Sequence, residues 1–114
     1  MKGSWHVSAR EAAALPLPEG RRSAEVLGFG SLEVRYYAPK SIDPQTPHER
    51  DEVYVVASGR GFFVRGEARV AFERGDMLFV PAKIAHRFED FSPDFATWVM
   101  FYGPAGGERE NPFV

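Results

Sequence analysis

Residues 48–59 have the sequence HERDEVYVVASG, a charged stretch followed by an apolar one that ends in Ser-Gly. The apolar part is rich in Val and Tyr, which favour β-strands. Because side chains alternate along a strand, Glu52 and Tyr54 share one face, and Val53 and Val55 share the other. Apolar side chains on both faces predict a strand that is covered on both sides. We expect the second cover to be either another subunit or the N-terminal segment of the chain.

Similar short apolar runs, separated by Gly and Pro, continue from residue 23 to residue 102. They predict eight strands, near 23–29, 32–38, 52–58, 61–66, 68–73, 77–81, 86–90 and 96–102. Turns are expected at Gly59-Arg60-Gly61, Arg65-Gly66-Glu67 and Arg74-Gly75-Asp76. Eight closely spaced strands indicate an all-β sandwich or barrel rather than a parallel α/β sheet.

One short helix is expected before the first strand. Ser8-Ala9-Arg10-Glu11 has the pattern of a capping box, in which the Ser and Glu side chains each accept a hydrogen bond from a backbone amide. Residues 12–15 are good helix formers, and Pro16 ends the run. We therefore predict a single domain that consists of an N-terminal segment (1–22), a β-barrel (23–102) and a surface-lying or frayed tail (103–114).

Composition and charge exclude several classes of protein. The chain of 114 residues has no Cys, so disulfides and thiolate metal sites are excluded. The net charge is −2 and no basic run occurs, which argues against nucleic-acid binding. The N-terminus lacks a signal-peptide pattern, and no apolar stretch approaches membrane-spanning length. We expect a cytoplasmic protein whose partner is a small molecule, with no role for nucleic acid or a membrane.

Three side chains that can bind a metal lie near the starts of predicted strands, namely His48, Glu52 and His86. Two imidazoles with a carboxylate form a common ligand set for transition metals. On a straight strand, His48 and Glu52 would lie roughly 13 Å apart. They can share a metal only if the backbone bends between them, and the charged residues 49–51 are where we expect that bend. Glu49 and Asp51 are rival carboxylate ligands, but we expect them in a solvated loop.

Two segments resemble the two motifs of the cupin superfamily. The first motif is Gly, five residues, His-x-His, three or four residues, Glu, six residues, Gly; the chain matches it from His48 through Glu52 to the next glycine. The second motif is Gly, five residues, Pro-x-Gly, two residues, His, three residues, Asn; the chain matches it at Gly75, Pro81 and His86. The resemblance spans residues 40 to 90.

The resemblance implies an all-β fold, a small double-stranded β-helix or jelly-roll barrel, with a divalent metal ion at its mouth. It implies that His48, Glu52 and His86 are the metal ligands. Thr46 occupies the position of a further histidine ligand, and the neighbouring Gln45 is a candidate through its amide oxygen. The remaining set leaves coordination positions open, as in non-haem Fe(II) oxygenases, and Fe, Mn, Zn or Ni would suit it.

The other departures from the motifs affect glycine and turn positions, at Lys40, Lys83 and Asp90.

Further candidate residues carry alternative interpretations. Three tyrosines are candidates for proton transfer: Tyr54, Tyr36 and Tyr37. Four aromatic side chains either line a ligand cavity or simply form the core: Tyr54, Phe63, Phe88 and Trp98. Two arginines either hold a substrate carboxylate or lie on the surface: Arg65 and Arg87. His6 fits no motif, and we expect no role for it in the site.

The sequence thus predicts a small single-domain cupin that binds a divalent metal and acts on a small organic acid, a sugar derivative or an aromatic metabolite. A dioxygenase or an isomerase would be examples of such an enzyme. The alternatives are a cupin that binds or senses a small ligand without catalysis, with or without metal, and a dimeric scaffold without a ligand. Fold alone does not distinguish these functions. We also expect a homodimer.

Overall fold

The computed structural model describes residues 5–44 and 46–109, and all structural statements refer to these. The helix is α1 (Ala9–Ala13). The strands are β1 (Ser23–Phe29), β2 (Leu32–Tyr37), β3 (Asp51–Ser58), β4 (Arg60–Arg65), β5 (Ala68–Glu73), β6 (Met77–Val80), β7 (His86–Glu89) and β8 (Ala96–Tyr102). The eight predicted strands are confirmed, with only small shifts at their ends. No helix in the described part of the chain has the length and apolar character to cross a membrane.

The strands form two antiparallel sheets. The larger sheet has the order β1-β2-β8-β3-β6, and the smaller has the order β5-β4-β7. A buried aromatic and aliphatic cluster contains Tyr54 and Val99 from the larger sheet and Phe63 and Phe88 from the smaller. Because these side chains come from both sheets, the core lies between them. This is the all-β double-stranded β-helix that the sequence predicts.

A second apolar cluster lies on the other face of the larger sheet. Tyr36 of β2 pairs in register with Trp98 of β8, and their rings meet edge to face with centroids 5.1 Å apart. Ala12 of α1 packs in the same cluster. The helix begins with the predicted capping box, formed by Ser8 and Glu11. The N-terminal segment therefore supplies the second cover for this part of the sheet, one of the two covers considered from the sequence.

Gly59 carries the chain from the larger sheet to the smaller. β3 ends at Ser58 and β4 begins at Arg60, so one residue joins strands of different sheets. Its φ of +83° lies in the left-handed region that favours glycine. The prediction of a three-residue turn here is wrong, because the chain crosses between sheets instead of folding back. The other two predicted turns are present, at 66–67 and 74–75.

The tail after β8 packs against the start of β3. The Gly106 amide donates a hydrogen bond to the Glu49 carbonyl at 2.6 Å, and the Glu108 amide donates to the Asp51 carboxylate at 2.7 Å. Of the two predicted alternatives, the described part of the tail therefore lies on the surface and is held there. Residues 110–114 lie outside the described ranges.

Replacement of Gly59 by Ala should destabilise the fold strongly. An added Cβ would lie 2.6 Å from the Phe95 Cα, and the backbone there has little freedom to move. Gly66 is a matched control, because its φ is also positive at +58° but a Cβ would meet nothing within 4 Å. We expect Gly66→Ala to cost about 1 to 2 kcal/mol and Gly59→Ala about 3 to 5 kcal/mol, measured by urea unfolding. Equal losses would contradict the close packing at Gly59.

Candidate metal centre

His48, Glu52 and His86 converge on one point at the end of the barrel. His48 lies in the loop before β3, Glu52 is the second residue of β3, and His86 is the first residue of β7. One ligand atom from each residue lies within 4.8 Å of the other two. The His86 Nε2 is 2.7 Å from the Glu52 Oε1, and the His48 Nε2 is 3.8 Å from the same oxygen. The predicted convergence is observed, whereas metal binding by these residues stays a prediction.

The backbone bends where the sequence requires it. Residues 49 and 50 form a bend, and the strand conformation begins only at residue 51. The Lys83 amide donates a hydrogen bond to the His48 carbonyl at 2.6 Å, which ties the bent loop to the segment that precedes β7. Because of this bend, His48 reaches Glu52 instead of lying a full strand length away.

The orientation of the His86 ring is fixed by its other nitrogen. The Nδ1 lies 2.8 Å from the Ile84 carbonyl oxygen. Since a carbonyl oxygen can only accept, Nδ1 carries the hydrogen, and in the neutral imidazole Nε2 then presents a lone pair towards Glu52. Burial lowers the pKa of His86, but the Glu52 carboxylate and the Ile84 carbonyl raise it, and the net shift is upward from the ordinary value.

The buried donor atoms of this cluster fit a divalent cation. The Glu52 and His86 side chains are 1% and 0% exposed, yet both Glu52 oxygens and the His86 Nε2 have no hydrogen-bond partner among the described residues. When the hydrogen of a neutral His86 lies on Nδ1, its Nε2 and the Glu52 Oε1 face each other as two acceptors 2.7 Å apart. Buried polar atoms are normally paired, and a lone buried carboxylate is costly. A cation between the three side chains would satisfy all of these atoms.

Aromatic side chains enclose the buried side of the cluster. The rings of Tyr54 and Phe63 each lie 6.1 Å from the His86 ring, and the Phe101 ring lies 5.1 Å from the His48 ring. Such surroundings exclude water, and electrostatic interactions are stronger in them than in water. Charged groups at the cluster would therefore interact strongly with one another, because this end of the barrel is otherwise apolar.

The His48 side chain is 34% exposed and faces a cleft of about 370 Å³. The cleft lies between the inner face of β2, the segment before β1 and the loop before β3. Its lining residues are Gly20, Arg21, Arg22, Ser23, Glu33, Arg35, Tyr37, Thr46, His48, Glu49, Arg50, Val99 and Phe101. A small molecule in this cleft would thus contact the most accessible member of the cluster.

Comparison with known proteins agrees with this geometry. The Cupin_2 family, described as a cupin domain, matches residues 34–102. The chain belongs to the cupin family. Cupins commonly bind metals, and this cupin has in His48, Glu52 and His86 a cluster that is able to hold one.

Individual relatives agree with the family assignment. A cupin 2 conserved barrel domain protein from Salinispora arenicola has a TM-score of 0.66 and 17% identity, over 89% of this chain and 91% of that chain. A chain from the crystal structures of the DMSP lyases RdDddP and RnDddQII has a TM-score of 0.63 and 28% identity, over 73% of this chain and 47% of that chain.

A relative of similar sequence occurs in Streptomyces coelicolor. Its uncharacterized protein SCO3923 is 42% identical over 62 residues, which cover 54% of this chain. The match covers 59% of SCO3923, so this cupin spans less than two thirds of that relative's length.

The structure explains two departures from the cupin motifs. Lys83, at a glycine position of the second motif, has a φ of +70°, and Asp90, at the asparagine position, has a φ of +50°. Both residues adopt the left-handed conformation that glycine and asparagine tolerate best. Thr46 lines the cleft beside His48, and Gln45 lies outside the described residues.

The candidate tyrosines lie in three different environments. Tyr54 is fully buried in the core. Tyr36 packs on the outer face with Trp98, so a proton-transfer role for Tyr36 and a lining role for Trp98 are both wrong. Tyr37 lines the cleft, and its hydroxyl donates a hydrogen bond to Asp43. Burial and this hydrogen bond raise the pKa of Tyr37 far above its ordinary value, so the phenol keeps its proton.

The remaining candidates are core or surface residues, or lie outside the cluster. Phe63 and Phe88 are buried core residues. Arg87 is exposed and pairs with Glu89, and Arg65 is exposed and donates to the Phe79 carbonyl, so the surface interpretation of both arginines is correct. His6 is not part of the cluster.

Asp51 has a structural role that the sequence did not indicate. It was expected in a solvated loop, but it is 5% exposed. One carboxylate oxygen accepts from the Ala82 amide at 2.8 Å and the other accepts from the Glu108 amide at 2.7 Å. Asp51 thus joins the segment before His86 to the tail and holds both against the start of β3.

Replacement of Asp51 by Ala should lower the free energy of unfolding by about 3 kcal/mol, because two hydrogen bonds to a buried carboxylate are lost. Asp94→Ala is the matched control, since Asp94 is exposed and only its backbone carbonyl accepts a hydrogen bond, from Ser58. We expect the control to change stability by less than about 0.5 kcal/mol. Chemical denaturation measures both variants, and a similar loss in both would refute the clamping role of Asp51.

Proposed function

We propose that this cupin binds one divalent metal ion through His48, Glu52 and His86 and acts on a small organic acid in the adjoining cleft. The observation that carries the proposal is the set of buried donor atoms in Glu52 and His86 without hydrogen-bond partners among the described residues. Two imidazoles and a carboxylate suit Fe, Mn, Zn or Ni. A set of three ligands also leaves positions open for a substrate or water.

A bound metal would supply Lewis acidity, that is, polarisation of a carbonyl or carboxylate group. The chain's own residues would provide the remaining functions. The Ile84 carbonyl orients the His86 imidazole, and the Lys83 amide holds the backbone of His48 in place. Phe101 and Val99 form an apolar wall of the cleft that would exclude water from the bound molecule.

Catalysis, rather than binding alone, is supported by the similarity to the DMSP lyases at 28% identity. It is also supported by the position of the cleft directly beside His48. Tyr37 lines the cleft but keeps its proton and already donates it to Asp43, so it is a poor base and would only accept a hydrogen bond from a bound molecule. The organic acid would therefore bind in the cleft, and His48, Glu52 and His86 would hold the metal.

Metal content tests the proposal directly. After incubation with Fe²⁺, Mn²⁺, Zn²⁺ or Ni²⁺ and desalting, we expect nearly one equivalent of at least one metal by elemental mass spectrometry. His86→Ala and Glu52→Gln should lose most of it, because each removes a buried ligand atom. His6→Ala is the control, since it removes a histidine outside the cluster and should keep the metal. A folded parent that takes up none of the four ions would refute the metal site.

We also propose that two copies associate through the outer face of β6. Met77 and Phe79 are exposed there, on a strand that pairs only with β3 among the described elements. A twofold contact would cover the same apolar side chains on both copies. Sedimentation equilibrium should give twice the chain mass of 12.8 kDa. Phe79→Glu should give the monomer mass, while Val70→Glu, at an exposed position on β5, should not; a monomeric parent would refute the dimer.

A further inference from the structure

The cleft beside His48 carries an excess of positive charge. Four arginines line it, namely Arg21, Arg22, Arg35 and Arg50, together with the two glutamates Glu33 and Glu49. Such an excess next to a proposed metal centre favours an anionic ligand. Which of the arginines are available to a ligand depends on the partners that each already has.

Arg35 and Arg50 are committed to the protein. The Arg35 guanidinium is almost fully buried and donates to the Ser23 hydroxyl, the Ser23 carbonyl and the Glu33 carboxylate. Arg50 donates to the carbonyls of Ser31 and Gly103, and it lies 3.6 Å from the Glu33 carboxylate. These two arginines therefore neutralise Glu33 and shape the wall of the cleft.

Arg21 and Arg22 have few commitments. Both are exposed, and a hydrogen bond from the Arg21 amide to the Pro18 carbonyl at 3.0 Å holds the turn that presents them. Within the described ranges, the Arg22 side chain makes one long hydrogen bond, 3.5 Å to the Pro44 carbonyl. Burial and Asp43 raise the pKa of Tyr37 and the charge of Arg22 opposes this rise, which agrees with a position of Arg22 near the phenol. Glu49 is the one cleft carboxylate that opposes this pair.

We propose that Arg21 and Arg22 bind the carboxylate of a small organic acid whose other end reaches the metal centre at His48. The inference rests on the proposed function, and it adds the residues that determine the specificity for the acid. Arginine suits a carboxylate because its planar fork can form two parallel hydrogen bonds with the two oxygens. The short apolar part of the acid would pack on Val99 and Phe101, which line the same cleft.

The size of the cleft limits the ligand. A volume of about 370 Å³ lies at the lower end of the range of small-molecule sites, so a short acid fits better than an extended sugar or a polycyclic compound. A molecule with a second oxygen-containing group, a few carbons from the first carboxylate, would bind both the arginines and the metal. Short dicarboxylates such as succinate and glutarate have this form.

Calorimetric titration of the metal-loaded protein tests the inference with succinate, glutarate, their neutral diamides and inorganic phosphate as probes. We expect at least one dicarboxylate to bind, and its diamide to bind at least about ten-fold more weakly. The double variant Arg21→Gln/Arg22→Gln should weaken dicarboxylate binding by about ten-fold or more and should keep its metal. Arg60→Gln, an exposed arginine outside the cleft, should change the affinity by less than about two-fold.

Three outcomes would overturn the inference: no binding of either dicarboxylate, equal binding of acid and diamide, or equal losses in the double variant and Arg60→Gln. If phosphate binds more tightly than either dicarboxylate, the ligand of Arg21 and Arg22 is a phosphorylated molecule and not an organic acid. The same titration on Glu52→Gln separates this inference from the metal site. If Glu52→Gln has lost the metal but still binds the acid through the arginines, the carboxylate site is retained and the metal site is not needed for it. If the parent protein keeps its metal but binds no acid, the carboxylate site is rejected and the metal site is not affected.

Discussion

The buried carboxylate of Glu52 sets the strongest constraint on this structure. It lies among aromatic rings at the end of the barrel, and neither oxygen has a hydrogen-bond partner among the described residues. A carboxylate transferred from water to such surroundings costs several kcal/mol unless a charge or a set of donors compensates for it. The ring nitrogens of His48 and His86 face the same Glu52 oxygen, so a cation held between the three side chains would compensate for the buried charge.

The fold holds these three groups together through backbone contacts rather than through the groups themselves. The Lys83 amide binds the His48 carbonyl, and Asp51 binds both the Ala82 amide and the Glu108 amide. The tail, the loop before β3 and the segment before β7 therefore form one connected unit around the cluster. Because those hydrogen bonds do not involve the ligand atoms, the cluster is preorganised by its supporting segments.

The sequence was sufficient to predict most of the fold and the convergence of His48, Glu52 and His86. Alternation of Val, Tyr and Phe with glycine punctuation is a local signal, and each strand of the barrel carries it. The ligand positions followed from motif spacing that the bend at residues 49 and 50 makes geometrically possible. The capping box of Ser8 and Glu11 is also local, and it was predicted correctly.

Features that depend on distant contacts were not predictable in this way. Asp51 has the same local sequence context as a solvated loop residue, and its role appears only when the segment at Ala82 and the tail at Glu108 meet it. Arg21 and Arg22 stand next to each other in a turn before β1, and nothing in their neighbours indicates that this turn borders the cleft. The sequence offered Arg65 and Arg87 as alternatives for a carboxylate site or a surface location, and both lie on the surface.

Thr46 departs from the cupin motif, and it also lies in the wall of the cleft. The family resemblance places a further histidine at this position, and the structure places Thr46 in the lining of the cleft beside His48. A threonine side chain is smaller than an imidazole and is a weak ligand for a transition metal. The exchange therefore leaves room beside His48, and it would leave a coordination position of a bound metal open towards the cleft. Glu52 and His86 are buried and do not line the cleft, so a molecule in the cleft would meet the cluster at His48, on the side lined by arginines.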